Sequence, residues 1–109
     1  MAKQRIVFDT TEIVAQVEII IGGDDAPKKK ETRIMHIIYD QFDKISFVKC
    51  TERKWFKKVD SEKILLKLKS RRDPIEFSKM KNEAFWEEYK EGFRVFARKN
   101  RIELVDEIG

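Results

Sequence analysis

The residues best suited to chemistry lie in one central segment, residues 44–72. This segment holds eleven basic and three acidic side chains, a net charge of +8, whereas residues 1–43 and residues 73–109 each carry a net charge of −2. A lysine or arginine that neutralises a phosphate releases counterions condensed on a nucleic acid, and this release drives binding. We therefore expect any polyanionic partner to bind residues 44–72.

Two aromatic residues stand among these basic ones, in the stretch Arg53-Lys54-Trp55-Phe56-Lys57-Lys58. Neighbouring side chains of a strand point to opposite faces, so Trp55 and Phe56 cannot both enter the core. An exposed ring can stack on an unpaired base and contribute about 1–3 kcal/mol. The predicted nucleic-acid-binding residues are Arg53, Lys54, Trp55, Phe56, Lys57, Lys58, Lys63, Lys67, Lys69, Arg71 and Arg72. In the alternative interpretation, the lysines only keep a half-exposed strand soluble and protect its edge from aggregation.

A second pattern concerns metal chemistry. Asp43, Glu52 and Lys54 match the loose D…ExK arrangement of metal-dependent nucleases, in which two carboxylates hold a divalent ion and the lysine stabilises the attacking water. Since 40% of the residues are charged, such a match is expected by chance. The sequence therefore predicts no catalytic residue, no metal ligand and no cofactor, and the nuclease is kept as a distant alternative.

Three further features favour structural roles. His36 is the only histidine and lies in an apolar run, which predicts a buried or rim structural residue. Cys50 is the only cysteine, so it forms no disulfide within the chain and is expected to be a small core residue rather than a nucleophile. The run Lys28–Lys30 lacks the GxxxxGK[S/T] pattern of a phosphate-binding loop and is predicted to lie in a solvated loop.

The elements that must position these residues are mostly strands. The predicted strands are 4–8, 13–21, 32–40, 44–50 and 63–69, with a loop at 22–31 and turns at 40–43 and 70–74. A capping-box pattern at 9–12 and apolar residues at helical spacing would also allow a helix over 13–21, but its β-branched residues favour a strand. Strands 13–21, 32–40 and 44–50 are expected to form an antiparallel meander. Alternation in the strand 63–69 sends Ile64, Leu66 and Leu68 to the core and Lys63, Lys67 and Lys69 to solvent.

A helix is predicted from Asn82 to about Asn100. Phe85, Tyr89, Phe93 and Phe96 recur at helical spacing, with acidic residues early and basic residues late, as the helix dipole favours. Residues 74–79 either begin this helix or form a further strand. Trp86 lies about 100° off the aromatic stripe, which predicts a position beside the core or in a partner surface. Residues 101–105 form a last strand or a packed tail.

The predicted fold is α+β: one domain, 1–109, with an antiparallel sheet of about four to six strands and one long C-terminal amphipathic helix on one face. The opposite face is then left free and cationic. No apolar run approaches the roughly 20 residues of a membrane-spanning helix, and the N-terminus does not resemble a secretory signal. Together with the single cysteine, this composition predicts a cytoplasmic protein.

The sequence thus predicts a small non-enzymatic nucleic-acid-binding protein that prefers single-stranded DNA or RNA and contacts it through residues 44–72. Sequence-specific reading of a duplex is not favoured, because neither a helix-turn-helix pattern nor a basic helix is present. The alternative is a protein-interaction module, such as an inhibitor, adaptor or structural subunit, that binds an acidic protein partner. A homodimer is compatible with either, since one helix on a broad sheet leaves apolar area for a second copy.

Overall fold

Strands account for most of the fold in the computed structural model, which describes residues 5–22 and 27–108. The strands are β1 (Ile6–Phe8), β2 (Glu12–Ile21), β3 (Lys29–Ile38), β4 (Phe42–Lys54), β5 (Lys57–Leu68), β6 (Ile75–Ser78) and β7 (Glu103–Asp106). The helix α1 (Trp86–Asn100) follows a 3₁₀ segment, Met80–Phe85, and a second 3₁₀ turn, Tyr39–Gln41, joins β3 to β4. The α+β class is therefore confirmed.

The strands form two sheets. One has the order β1-β2-β3 and is antiparallel, and the other has the order β6-β5-β4-β7, in which β7 alone runs parallel to its neighbour, β4. Alternation of side chains gives each sheet one apolar face, and these faces share a single core with α1. Ile13 and Ala15 enter this core from β2, and Ile64 and Leu66 enter it from β5.

The helix α1 packs against both sheets through its aromatic side. The ring of Phe93 meets Phe8 of β1 edge to face, with 4.9 Å between centroids, and Phe96 similarly meets Phe42 of β4 at 5.6 Å. The approach of β1 depends on Gly92, because a Cβ there would lie 2.4 Å from the Phe8 ring. The prediction that this side of the helix lies in the core is confirmed.

Trp86 differs from its prediction. It is 1% exposed, and its Nε1 donates a hydrogen bond to Oε1 of Glu62 on β5 at 2.7 Å. Spacing along the helix alone predicts a side position, but Glu62 of β5 supplies an acceptor for the N–H of the buried ring. Trp86 is therefore part of the core and is not available to a partner.

The connections account for the other corrections. The predicted meander of three strands is wrong, because the 3₁₀ turn Tyr39–Gln41 carries the chain from one sheet to the other and β3 and β4 do not pair. The capping-box pattern at 9–12 starts no helix: Asp9 N donates to Glu12 O in the turn between β1 and β2. The strand alternative for residues 75–78 is correct, and α1 begins at Trp86 rather than Asn82, whose φ of −127° is not helical.

The N-terminal part of the fold also differs in its limits. The last predicted strand exists as β7, while β3 begins at Lys29, so Lys29 and Lys30 belong to a strand rather than to the predicted loop 22–31. Gln4 of the predicted strand 4–8 and residues 23–26 of that loop lie outside the described residues.

Candidate nucleic-acid interface

The strands β4 and β5 extend beyond their neighbours in the sheet. On the β6 side the last backbone hydrogen bond runs from Lys79 N, just after β6, to Glu62 O. On the β7 side it runs from Glu107 N, just after β7, to Phe47 O. Among the described residues no further strand borders the five pairs from Cys50–Ser61 to Lys54–Lys57. We call residues 50–61 the arm, a two-stranded ribbon about 17 Å long.

A two-residue turn closes the arm. Its first central residue, Trp55, has a φ of +61°, and Phe56 has a negative φ, which is the pattern of a type II′ hairpin turn. Glycine is the usual residue at the first position, because a Cβ is strained there. Both rings project into solvent, with Trp55 85% and Phe56 99% exposed.

Four basic residues surround the two rings. Arg53 lies directly opposite Lys58 and Lys54 directly opposite Lys57 in the ladder. Like charges placed opposite each other destabilise a strand pair. Lys58 shares the face of β5 that carries Glu62 and meets α1, so Arg53 and Lys58 lie on that face, whereas Lys54 and Lys57 lie on the other. We call residues 53–58 the arm tip.

The arm tip also accounts for the charge of the whole chain. It holds four basic and no acidic residues, and the chain holds 24 basic and 20 acidic residues, so the remaining residues balance at zero. Because no acidic residue interrupts these four cations, the arm tip offers a polyanion a local attractive field.

The structure brings Arg53, Lys54, Trp55, Phe56, Lys57 and Lys58 together, but it separates the other predicted site residues from them. Lys63 and Lys67 point from β5 to the face away from α1, as predicted. Each is engaged there: Lys63 Nζ lies 3.9 Å from Glu76 Oε1, and Lys67 Nζ donates to the carbonyl oxygens of Arg71 and Arg72 at 2.6 and 3.2 Å.

The remaining three, Lys69, Arg71 and Arg72, are exposed in the turn that follows β5. They lie at the opposite end of β5 from the arm tip, about 36 Å away along the strand, in a molecule 43 Å long. Arg71 also lines a cavity of about 260 Å³ next to β6, together with Arg5 and Lys81. One compact ligand cannot touch both ends.

The predicted single cationic face is therefore wrong in its geometry. The face away from α1 carries Lys63 and Lys67, but it also carries the buried Ser61 and the half-buried Val48, Cys50 and Leu65. Its middle is not a run of free cations: Lys63 lies directly opposite Val48 and beside Leu65, and it is paired with Glu76. Side-chain alternation along the arm divides the tip cations between both faces, and a count of charges along the sequence does not reveal this division.

Cys50 and Glu52 lie near the base of the arm, on the face away from α1. Ser61 Oγ donates to Glu52 Oε2 at 2.7 Å across the strands. Partial burial, together with the charge of Glu52, raises the pKa of the Cys50 thiol. A raised pKa keeps the thiol protonated and makes it a weak nucleophile at neutral pH. Cys50 is half-buried on the face away from the core, so the prediction of a core position is wrong.

The D…ExK residues do not meet. Asp43 and Glu52 lie nine residues apart on the same strand, β4, which separates them by about 30 Å, so they cannot hold one metal ion. Within the ranges 5–22 and 27–108, no group of three or more His, Cys, Asp or Glu side chains could bind a metal. His36 is exposed on β3, where its Nδ1 lies 2.6 Å from Glu12 Oε1, so a buried position is ruled out.

Sequence reasoning missed the arm itself. The predicted strands end at Cys50 and begin again at Lys63, because the charged residues between them show no apolar alternation. The signal in the sequence is the pair of basic residues on each side of Trp55-Phe56. This symmetry fits a hairpin centred on the two aromatic residues and does not depend on apolar alternation. The turn residues carry no such signal, because Trp-Phe is not a common turn pair.

Comparison with known proteins adds no assignment: the chain matches no protein-family model, and neither curated proteins nor solved structures yield a match. None of the helices in the part of the chain that the structure describes has the length and apolar character needed to cross a bilayer.

Proposed function

We propose that the protein is a small non-enzymatic nucleic-acid-binding protein that prefers single-stranded DNA or RNA and binds it with the arm tip. The observation that carries the proposal is the exposure of Trp55 and Phe56 between four basic residues, with no acidic residue in the arm tip. Exposed aromatic rings stack on unpaired bases, while the flanking cations displace counterions from the backbone. Both terms require groups that solvent can reach, and the arm tip supplies both within six residues.

The site is best defined as the arm tip, with Lys63, Lys67, Lys69, Arg71 and Arg72 as a secondary, purely electrostatic surface. Lys63 and Lys67 have internal partners, so binding through them requires exchanging those contacts. We expect the arm tip to carry the stacking and most of the affinity, and the other five to extend contact with a longer strand.

The test uses the two tryptophans, which differ in environment. Trp86 is buried, so a Trp86→Phe protein retains Trp55 as its only indole reporter. Titration with a single-stranded oligonucleotide should quench Trp55 emission, and fluorescence anisotropy of a labelled oligonucleotide should show affinity falling about tenfold or more between about 50 and 200 mM salt.

Matched variants locate the site. Replacing Lys54 and Lys57 by Gln should weaken binding strongly, whereas replacing the exposed Lys29 and Lys30 of β3 by Gln removes the same charge from a strand of the other sheet and should have a smaller effect. Trp55→Ala can be paired with Tyr39→Ala, another exposed aromatic. Equal effects of both pairs, or no binding at either salt concentration, would contradict the proposal.

The second candidate function is a protein-interaction module for an acidic partner at the same arm tip. It is favoured by the residue types, because Trp and Arg dominate binding hot spots in protein interfaces. Polyglutamate serves as the probe, since it offers carboxylates but no base to stack on. If polyglutamate displaces the oligonucleotide at equal charge concentration, the arm tip recognises charge alone and the nucleic-acid proposal loses its basis.

Anionic phosphatidylserine vesicles test binding to a membrane surface in the same way. A blue shift of Trp55 emission on adding these vesicles would contradict the nucleic-acid proposal.

A further inference from the structure

The arm tip has cations on both faces, and a linear single strand needs only one. Arg53 and Lys58 lie on the face that continues toward α1, and Lys54 and Lys57 lie on the opposite face. Lysines that served only solubility would not need this double arrangement, because like charges opposite each other weaken the ladder twice. Two cationic faces suit a ligand that presents phosphates on both sides of the ribbon.

The dimensions of the arm fit such a ligand. A β-layer with its side chains is about 10 Å thick, and a gap of about 12 Å, the width of the DNA major groove, admits a two-stranded ribbon. The arm is also free of neighbouring strands over about 17 Å, so it can enter a gap between two backbones without a clash from β6 or β7.

The two rings at the end of the arm select among the nucleic acids that have two backbones. The groove of an intact duplex offers base edges but no exposed π-face for Trp55 and Phe56. A blunt end offers a π-face but no strands beside the ribbon. At a fork, the last base pair exposes its face at the point where the two backbones separate, so rings and both cationic faces are satisfied together.

We infer that the preferred ligand is a duplex–single-strand fork, with the arm inserted between the separating strands and Trp55 and Phe56 against the last base pair. This inference rests on the proposed function and names its substrate class. Arg53 and Lys58 then contact one strand, and Lys54 and Lys57 contact the other.

The experiment compares four labelled oligonucleotides of related sequence by anisotropy: a single strand, a duplex closed by hairpins at both ends, a blunt duplex and a fork. The fork should bind about tenfold more tightly than the single strand, because it adds a stacking surface and a second set of phosphates. The hairpin-closed duplex should bind most weakly.

Two double variants test the two faces: Arg53→Gln with Lys58→Gln, and Lys54→Gln with Lys57→Gln. On the fork, each should weaken binding to a similar degree and lower the slope of log K against log salt by about two. On a linear strand, which lies along one face, one double variant should have a much larger effect than the other. Both remove like-charge repulsion, so thermal unfolding checks that neither loses its fold.

The outcomes separate the two proposals. Equal affinity for fork and single strand, with quenching of Trp55 still present, would overturn the fork inference and leave nucleic-acid binding intact. The fork inference would also be overturned if one double variant weakened binding to the fork and the other left that binding unchanged. Absence of binding to all four oligonucleotides would overturn the proposed function itself.

Discussion

Two regions of the β4–β5 pair differ sharply. At Glu62 the pair contacts α1, and at Lys57, five residues earlier in the chain, the same pair ends in the arm tip. Around Glu62 each polar group has a partner: Trp86 Nε1 donates to it, and Lys90 Nζ lies 3.4 Å from Glu62 and 3.1 Å from Glu87. Throughout the described residues no buried side-chain nitrogen or oxygen lacks a hydrogen bond.

The arm tip, about 17 Å from Glu62 along the strand, has features that oppose stability instead. It places like charges opposite each other, a tryptophan at a turn position that favours glycine, and two large rings in water. Natural sequences break several local rules together mainly at functional sites. The comparison teaches that the β4–β5 pair is built for stability in the region around Glu62, which we call the root, while the arm tip gives up stability, as the proposed binding role requires. Each prediction separates these two regions.

The largest expected difference concerns two phenylalanines. Phe93 is 0% exposed and packs its ring on Phe8 and Phe77. Phe93→Ala should lower the free energy of unfolding by about 3–5 kcal/mol, because it leaves a cavity in the core. Phe56→Ala should change it by less than about 0.5 kcal/mol, because Phe56 touches little but water.

Urea unfolding followed by far-UV circular dichroism measures both values. A loss above about 1 kcal/mol in Phe56→Ala would mean that the arm tip packs on the body, and the contrast between the two regions would fail.

The next prediction concerns Glu62 and pH. Partial burial acts to raise the pKa of Glu62, but the hydrogen bond from Trp86 and the charges of Lys90 and Lys79 outweigh it, so the pKa lies below its ordinary value of 4.5. A carboxylate with a lowered folded pKa stabilises the fold at pH values above its unfolded pKa, and this stabilisation is lost as the pH falls through the folded pKa.

Glu62→Gln should therefore destabilise the protein by about 1–2 kcal/mol near neutral pH, since Gln keeps an acceptor for Trp86 but loses the charge beside Lys90. The difference from the parent protein should shrink once the pH lies below the folded pKa of Glu62. Glu87→Gln is the matched control: Glu87 also contacts Lys90 but is exposed, so it should have a clearly smaller effect. Equal effects of the two variants would show that burial of Glu62 is unimportant.

The division between root and tip also explains how much of the molecule was predictable. Burial imposes periodicity, so the strand faces of Ile64, Leu66 and Leu68 and the aromatic side of α1 could be predicted from the sequence. The pairing of β4 with β5 beyond Cys50 could not, because exposed strands have no apolar alternation to reveal them. Trp86 was misplaced for a related reason: its partner, Glu62, lies 24 residues away in the chain.

The candidate site was predictable in composition but not in shape. The charge of residues 44–72 and the Trp55-Phe56 pair are visible in the sequence. Their division into an arm tip, two engaged lysines and a distant turn depends on register, which a stretch of like-charged residues does not specify.

The smallest expected effect has the opposite sign, and it concerns the turn at the end of the arm. Trp55 has a φ of +61°, and a residue with a Cβ is strained by about 1–3 kcal/mol in sparsely populated conformations of this kind. Glycine adopts them without strain, although it costs about 0.5–1 kcal/mol more in chain entropy on folding. Trp55→Gly should therefore raise the free energy of unfolding by about 1 kcal/mol, while it weakens oligonucleotide binding because a stacking ring is lost.

Phe56→Gly is the control, because Phe56 has a negative φ at the neighbouring turn position. It removes a ring of similar exposure and relieves no strain, so it should weaken binding while leaving the protein slightly less stable. Urea unfolding and anisotropy on the same two proteins give both quantities. If Trp55→Gly lost as much stability as Phe56→Gly, the tryptophan would be held by favourable contacts, and its strained position would no longer indicate that stability has been given up for binding.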